Sequence, residues 1–367
     1  MTAMTAGVFD SESAADEYGD LRELVDDIAG KFCSAATDNH VVPQRFDAQL
    51  WRALDETGLS SLATSADAGA GPTEVAIVLY GLARHAAAVP IAETDLLAKW
   101  VATRAGIELT VGPASVAIAV DPANGGSVGT VDAVPWARDC QDVVLVAVGN
   151  HATRVGLLGV DVNDLVLNHN LAGEPRDGIE TTVSAEQLAT IDSSVGRELL
   201  TRGAWARCVQ VVGALDAAAS LTVTHTRERV QFGRSLSAFQ AVQHSLAAMA
   251  GEIERARSSV DAAVATASAY GFGDERTELA VAVAKIVLGQ VVLPVTTTAH
   301  QLHGAIGVTR EHPLWLFTLR AQSWLDDYGS PRRFAQQLGS LALHCDDPWR
   351  FITGDHHGHP AGNESCI

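Results

Sequence analysis

At 367 residues the chain exceeds one average domain, long enough to bury a sizeable core in two or three layers. A net charge of −19 excludes a nucleic-acid partner, because phosphate binding by counterion release needs a basic stripe and none is present. Although 47% of the residues are hydrophobic, no run of about eighteen apolar positions and no basic-then-apolar leader occurs, so neither a membrane span nor secretion is expected and the cytoplasm is the default.

The basic side is carried almost wholly by arginine, since Lys31, Lys99 and Lys285 are the only lysines. Arginine is also the side chain that grips phosphate bidentately. Cys33, Cys140, Cys208, Cys345 and Cys366 are odd in number and lack CxxC spacing, so neither a disulfide framework nor a zinc site is expected from them.

In chain order, apolar residues first recur at helical spacing between about Tyr18 and Gly106, as at Leu21, Leu24, Val25 and Ile28 and again at Val75, Val78, Leu79 and Leu82. Asp67 to Pro72 reads as a loop, Thr73 as an N-cap, and Pro90 as the stop of a helix running through Ala87. From about Val111 to Val183 the pattern changes to short valine-rich runs between turn residues. Strands are expected at Ser115 to Val120, Asp142 to Val148, Arg154 to Val160 and Leu165 to Leu167. Helices return at Ser194 to Arg229, Phe239 to Ala269, Asp274 to His303 and Pro313 to Leu325. A helix of about 35 residues spans about 50 Å, which suits a bundle more than a doubly wound sheet. The expected fold is therefore mainly α with a small middle β domain: a helical domain over 1–110, a β domain over 111–190, a C-terminal four-helix bundle over 191–347 and a tail over 348–367. His356, His357 and His359 in that tail read as a solvated terminus before they read as a metal site.

Gly125-Gly-Ser-Val-Gly129 matches the nucleophile elbow of serine hydrolases in letters only, since a strand instead of a helix is expected after it. No GxGxxG opens a βαβ unit and no GxxxxGK[ST] occurs, so a standard Rossmann or P-loop site is excluded. A dinucleotide must be held another way, and two segments offer it: Arg227 to His244, and Gln301 to Pro313. Arg229 can pair with a pyrophosphate, and Gln231, Gln240 and Gln301 offer amides to phosphates and adenine. Gly304 permits close backbone approach. Singly, each has a structural reading: a helix C-terminal charge, a surface amide, a C-cap.

Together these segments resemble the acyl-CoA dehydrogenase family, whose C-terminal bundle carries R-x-[QT]-F-G, then [F/H]-Q, then Q-x-[HF]-G-G-x-G before E-[HY]-P. The helix, β, helix order is similar too, and Val134-Pro-Trp-Ala-Arg-Asp-Cys-Gln-Asp-Val-Val-Leu-Val146 resembles a strand of the family's β domain. The resemblance implies a flavin adenine dinucleotide (FAD) at a subunit interface, with its adenosine diphosphate half gripped by the neighbour's bundle. It carries that role onto Arg229, Gln231, Phe232, Phe239, Gln240, Gln301, Gly304 and Ala305, the last replacing a usual glycine. No metal is implied.

What is missing shapes the expectation. The family's reaction needs a glutamate that removes the α proton of an acyl-CoA thioester. Where most members carry it, this chain has Asp327-Tyr-Gly-Ser330, with Tyr328 at the base position. Where a minority carry it, this chain has Gly203, and Glu198 is turned by about 140° from that face. Asp326 and Asp327 remain as weak alternatives whose plainer reading is a solvated helix end. The family's T-E-P-x-[AG]-G-S-D loop, which wraps the flavin ring, is also absent. The resemblance therefore implies the non-catalytic subunit of a heterotetramer, working with a homologous catalytic subunit, an acyl-CoA substrate such as a steroid side-chain thioester, and an electron-transfer flavoprotein. The open alternatives are a self-sufficient homomer using Asp327 and a flavin-free structural subunit.

Overall fold

Gly203 to Leu215 is the stretch about which everything else is packed, because every residue in it is buried. A helix that is apolar on all sides has to lie inside the protein. This run is the middle of a 36-residue helix, and the elements around it are described here from a computed structural model covering residues 18–38, 42–64, 69–122, 126–345 and 347.

The N-terminal region consists of α1 (Gly19–Asp38), α2 (Ala48–Glu56), α3 (Pro72–Arg84) and a π-helical stretch, Ala92–Lys99, that runs straight into α4 (Trp100–Ala105). Asp47 caps α2 by accepting from the backbone of Gln49 and Leu50. The cap of α3 is Gly71, not Thr73. Pro72 occupies the first helical position, where its missing N–H costs nothing, and Glu74 reaches back to the Gly71 N–H at 2.7 Å. The helix stops at Arg84, short of Ala87, because Ala86 turns into the left-handed region at φ 53°.

The β region contains β1 (Ala114–Val120), β2 (Ser127–Val128), β3 (Val131–Pro135), β4 (Asp142–Val148), β5 (Thr153–Leu158), β6 (Leu165–Val166), β7 (Arg176–Ile179), β8 (Val183–Ser184) and β9 (Ala189–Ile191). One sheet has the order β1-β4-β5-β9, with β1 and β4 parallel, and a second has β3-β7-β6. Strand β4 explains why its sequence is a continuous apolar run. Val144 and Val146 join the core shared with the helices, while Val143, Leu145 and Ala147 face a second core beneath the other sheet. Ser127 lies in a two-residue strand paired with Ser184, which removes the hydrolase elbow.

The C-terminal region is α5 (Ser193–Glu228), the hairpin β10 (Val230–Gln231) and β11 (Arg234–Ser235), α6 (Gln240–Tyr270), α7 (Glu275–His303), α8 (Leu314–Trp324) and α9 (Pro331–His344). The hairpin, with strands of two residues, is too short to show a period, and α9 is not among the expected helices although Phe334, Leu338 and Leu341 recur at helical spacing. Helix α5 packs on α3, α6, α7 and α8. By length and composition α5 and the Glu275–Val308 segment could each cross a membrane, but such helices also form the cores of soluble proteins, and the apolar window of α5 is 72% buried. The histidines expected in a tail lie outside the described residues.

Helices α3 and α5 cross with their backbones in close approach. A Cβ built on Gly213 would stand 2.5 Å from the Tyr80 carbonyl oxygen and 3.1 Å from the Ala83 Cβ. Neither neighbour is the free end of a flexible chain, so Gly213→Ala forces the helices apart. We expect a loss of about 1–3 kcal/mol in stability, read as a lower midpoint in urea or thermal denaturation.

Candidate functional site

The residues carried over as cofactor ligands gather at one end of the bundle, where α5 and α7 terminate. Arg229 caps α5, and Gly304 caps α7 at φ 66°. The two ends are held together by the stacking of His225 on His303, ring centroids 4.5 Å apart. Arg229, Gln231, Phe232, Gln240, Gln301, Gly304 and Ala305 are all exposed, and Phe239 is half-buried.

The local backbone explains how this end is presented. Phe232 and Gly233, at φ 53° and 79°, form the two-residue loop of the hairpin, with Gln231 opposite Arg234. Two successive left-handed residues give the turn whose twist matches a hairpin. Glycine adopts that conformation freely, whereas a phenylalanine there costs of order 1 kcal/mol. The same ring is 92% exposed and faces Phe239 edge-on, with ring centroids 6.3 Å apart. Strain and exposure of one large apolar ring are costs without a return inside the chain. The Leu236 N–H donates to the Arg229 carbonyl at 2.9 Å and ties the hairpin to the helix end. Helix α6 begins beside it without a side-chain cap, leaving first-turn N–H groups for an anion. A Cβ on Gly304 would meet nothing within 4 Å, so its backbone is open to a ligand. These features fit the diphosphate and adenine half of a dinucleotide.

The second locus is the place where a base is expected. After α8, the turn through Tyr328 (φ 58°) and Gly329 (φ 122°) carries Asp327 back into the protein. Asp327 is thus not a solvated helix end. Its Oδ2 accepts from Arg207 Nε at 2.8 Å and from Arg176 Nη2 at 3.1 Å. Arg207 also donates to Glu93, and Arg176 lies 3.5 Å from Glu174. Glu174 accepts from Trp324 Nε1 at 2.8 Å and faces Arg320 at 3.5 Å. Three carboxylates and three guanidiniums therefore form one neutral network, buried except for a partly exposed Asp327, that joins the N-terminal helices, the β region and the bundle. Burial by itself pushes the Asp327 carboxyl up, but Arg176, Arg207 and Lys285 together outweigh it and hold it below the ordinary carboxylate range. Burial likewise opposes ionisation of Glu174, and Arg320, Arg176 and Arg207 overcome it. An aspartate held as an anion by two guanidiniums is poorly suited to accept a proton.

The two base positions meet in space. A Cβ on Gly203 would lie 2.5 Å from the Tyr328 ring, so the ring rests directly on the glycine. Burial, then the charge of Glu93, raises the phenol further above its usual value, so it stays protonated. Glu198 is held by Arg202 at 2.8 Å, and Asp326 is exposed. Beside the network, between Leu82, Val89, Trp136 and Arg207, the free volume is about 10 Å³, room for about one water. A groove of about 530 Å³ opens elsewhere, between α5, α7 and α9, with Tyr328 at its wall.

Glu93, Glu174, Arg176, Arg207 and Arg320 were not singled out from the sequence. A signal existed: Glu93 and Arg207 each interrupt a long buried stretch, and charged residues are almost never fully buried unless paired.

With this geometry in view, comparisons with known proteins are informative. Residues 194–324 match the acyl-CoA dehydrogenase C-terminal domain. The chain is 26% identical over 328 residues to acyl-CoA dehydrogenase IpdE2 of Mycolicibacterium smegmatis, spanning 87% of this chain and 96% of that protein. Its fold is similar to a chain of the ChsE4-ChsE5 complex from Mycobacterium tuberculosis, with TM-score 0.77 and 22% identity over 91% of this chain and 99% of that one. It is also similar to a chain of a Tcur3481-Tcur3483 steroid ACAD variant, with TM-score 0.75 and 24% identity over 89% and 98% of the two chains.

The network makes two expectations measurable. Arg207→Leu leaves Glu93 without its guanidinium and removes one of Asp327's two, and is expected to cost about 3–5 kcal/mol, read by chemical denaturation. For the acid limb, both Asp327 and Glu174 are depressed in the folded state, so the unfolded chain binds protons more readily. Their contribution is complete above the unfolded carboxylate values near pH 4 and is lost as pH falls below them. Stability measured against pH should therefore drop steeply below about pH 4, and less steeply in Asp327→Asn.

Proposed function

We propose, from the premise that this chain is an acyl-CoA dehydrogenase-like protein, that it serves as the non-catalytic subunit of a heteromeric enzyme. In this reading it lends the adenosine-diphosphate side of an FAD site to a homologous catalytic subunit. The observation that carries the reading is the contact of the Tyr328 ring with Gly203. The two positions at which the family places its base are here filled by a protonated phenol and a hydrogen atom. The nearest carboxylate, Asp327, is neutralised by Arg176 and Arg207.

The flavin, when bound, would supply the acceptor for the β hydride of an acyl-CoA thioester held by the partner. This chain's part is binding and shielding. Arg229 would pair with diphosphate oxygens, with the uncapped first turn of α6 adding N–H donors. Gln231, Gln240 and Gln301 would bond phosphate and adenine edges, and Gly304 with Ala305 would let the backbone approach. Phe232 and Phe239 would exclude water. The α-proton abstraction falls to the partner in this reading, because Asp327, the carboxylate beside Tyr328 in sequence, is held as an anion by Arg176 and Arg207. The similarity to proteins of steroid acyl-CoA oxidation supports a bulky thioester as the substrate of the complex. An electron-transfer flavoprotein would reoxidise the reduced cofactor, in the cytoplasm.

Purified alone, the chain should carry little flavin and desaturate no acyl-CoA. Co-purified with its catalytic partner, it should give about two flavins per heterotetramer, one for each catalytic subunit. A fully flavinated, active homotetramer would overturn the reading in favour of a self-sufficient enzyme. Arg229→Ala removes a charge-assisted bond of about 1.5–3 kcal/mol and should weaken flavin retention by the complex roughly 10- to 100-fold. Unchanged flavin content would favour a purely structural subunit. Tyr328→Glu should leave the isolated chain inactive, since the chain alone holds little flavin and the new carboxylate would stand beside the Arg207 guanidinium, which lies 5.6 Å from the Tyr328 ring.

A further inference from the structure

Three histidines from separate elements converge beneath the exposed end of the bundle. His225 precedes the C-terminus of α5 by one turn, His303 is the last residue of α7, and His312 lies just before α8. One ring nitrogen of each lies within 4.8 Å of those of the other two. The His225 and His303 rings stack at 4.5 Å, and His312 meets His303 edge-on at 4.6 Å.

His303 is the informative member. It is only 5% exposed, and its Nδ1–H donates to the Ala299 carbonyl at 2.7 Å. That bond fixes the proton on Nδ1 and leaves a lone pair on Nε2, the arrangement that orients metal-ligating imidazoles. Nε2 is itself buried and has no hydrogen-bond partner. An orphaned buried acceptor costs about 1–3 kcal/mol, and here it costs that at the centre of a histidine cluster. Burial, reinforced by the neighbouring histidines, brings the His303 imidazole down to about 4, so it is uncharged at neutral pH. Helices α5 and α7 both end at this point, and the negative ends of their dipoles favour a cation.

We propose that His225, His303 and His312 form a binding site for a divalent transition-metal cation of the zinc class, joining the ends of α5 and α7 to the turn that starts α8. Three imidazoles suit zinc, cobalt, nickel or copper better than magnesium or calcium. Bonds of about 2.0–2.1 Å in tetrahedral geometry put ligand nitrogens about 3.4 Å apart, so separations of up to 4.8 Å close by at most about 1.4 Å on binding. The half-buried His225 supplies that movement by turning out of its stack. His312 Nδ1 accepts from the Leu314 N–H at 3.2 Å, and a first-turn N–H of a helix can be released to solvent. The fourth position is left for water or an added ligand.

The test is a Co²⁺ titration of the full-length chain in which His356, His357 and His359 are replaced by Asn, so that only the folded cluster is read. The expected result is one equivalent bound with the intense visible absorption of tetrahedral cobalt, displaced by Zn²⁺, and a rise in thermal midpoint with Zn²⁺. His225→Gln and His312→Asn, made separately because each parent side chain is half-buried, should each abolish the band, with far-UV circular dichroism unchanged. Absence of the band in the parent protein overturns the site whatever the variants do, leaving a stacked cluster of neutral rings. Persistence of the band in both variants assigns the metal elsewhere and overturns it equally.

Discussion

The guanidinium of Arg207 holds the structure's three layers in register. Helix α5 is buried on every side through its middle, and a charged group at its centre is tolerable only if it is paired and hydrogen-bonded. Arg207 donates to Glu93 from the N-terminal helices, to Asp327 from the turn after α8, and to Gln210 one turn along its own helix. Arg176 and Glu174 extend the same network into the β region, and Arg320 extends it through Ala87 and Gln44 to the N-terminal helices. Apolar packing of this kind tolerates sliding, whereas six paired charges fix one arrangement.

That network also determines what the interior can do. A proton-abstracting carboxylate has to be desolvated yet uncompensated, so that its pKa rises towards the working pH. Asp327 is desolvated and compensated twice, which drives it the other way. Its two arginines hold the following turn in place, and Lys285 reinforces it by donating to the carbonyls of Leu325 and Asp327 at 2.9 and 2.8 Å. The Tyr328 ring is thereby laid on Gly203. The depressed Asp327 carboxyl and the rigidity of the three-layer junction thus have one cause.

The surface has the complementary character. At the bundle end the chain keeps a strained, exposed Phe232, an uncapped α6 and an open Gly304, none of which contributes to its own stability. Local strain persists where the surroundings over-determine it, and here the hairpin is fastened to α5 by the bond from the Leu236 N–H to the Arg229 carbonyl. Beneath it lies the histidine cluster that fastens α5 to α7. The exposed end is therefore built on a rigid base, which the proposed cofactor-binding role would require.

The order of helical, β and helical regions was legible because it rests on periodicity: the long helices were located within one or two residues, and β4 was read with its observed bounds. The residues at the bundle end were legible because their types and spacing form a motif, and two helices ending side by side bring Arg229 and Gly304 to one surface. The vacancy at both base positions was visible in the letters Tyr328 and Gly203. Only the tertiary structure decided that these two vacancies touch, that Asp327 is locked and not solvated, and that Glu93, Glu174, Arg176, Arg207 and Arg320 neutralise one another. The reason is that a motif is local, whereas a buried charge takes its meaning from partners far away in the chain, as Arg176 does from Asp327, 151 residues away. The same holds for His225, His303 and His312, which come together only when the ends of three elements converge.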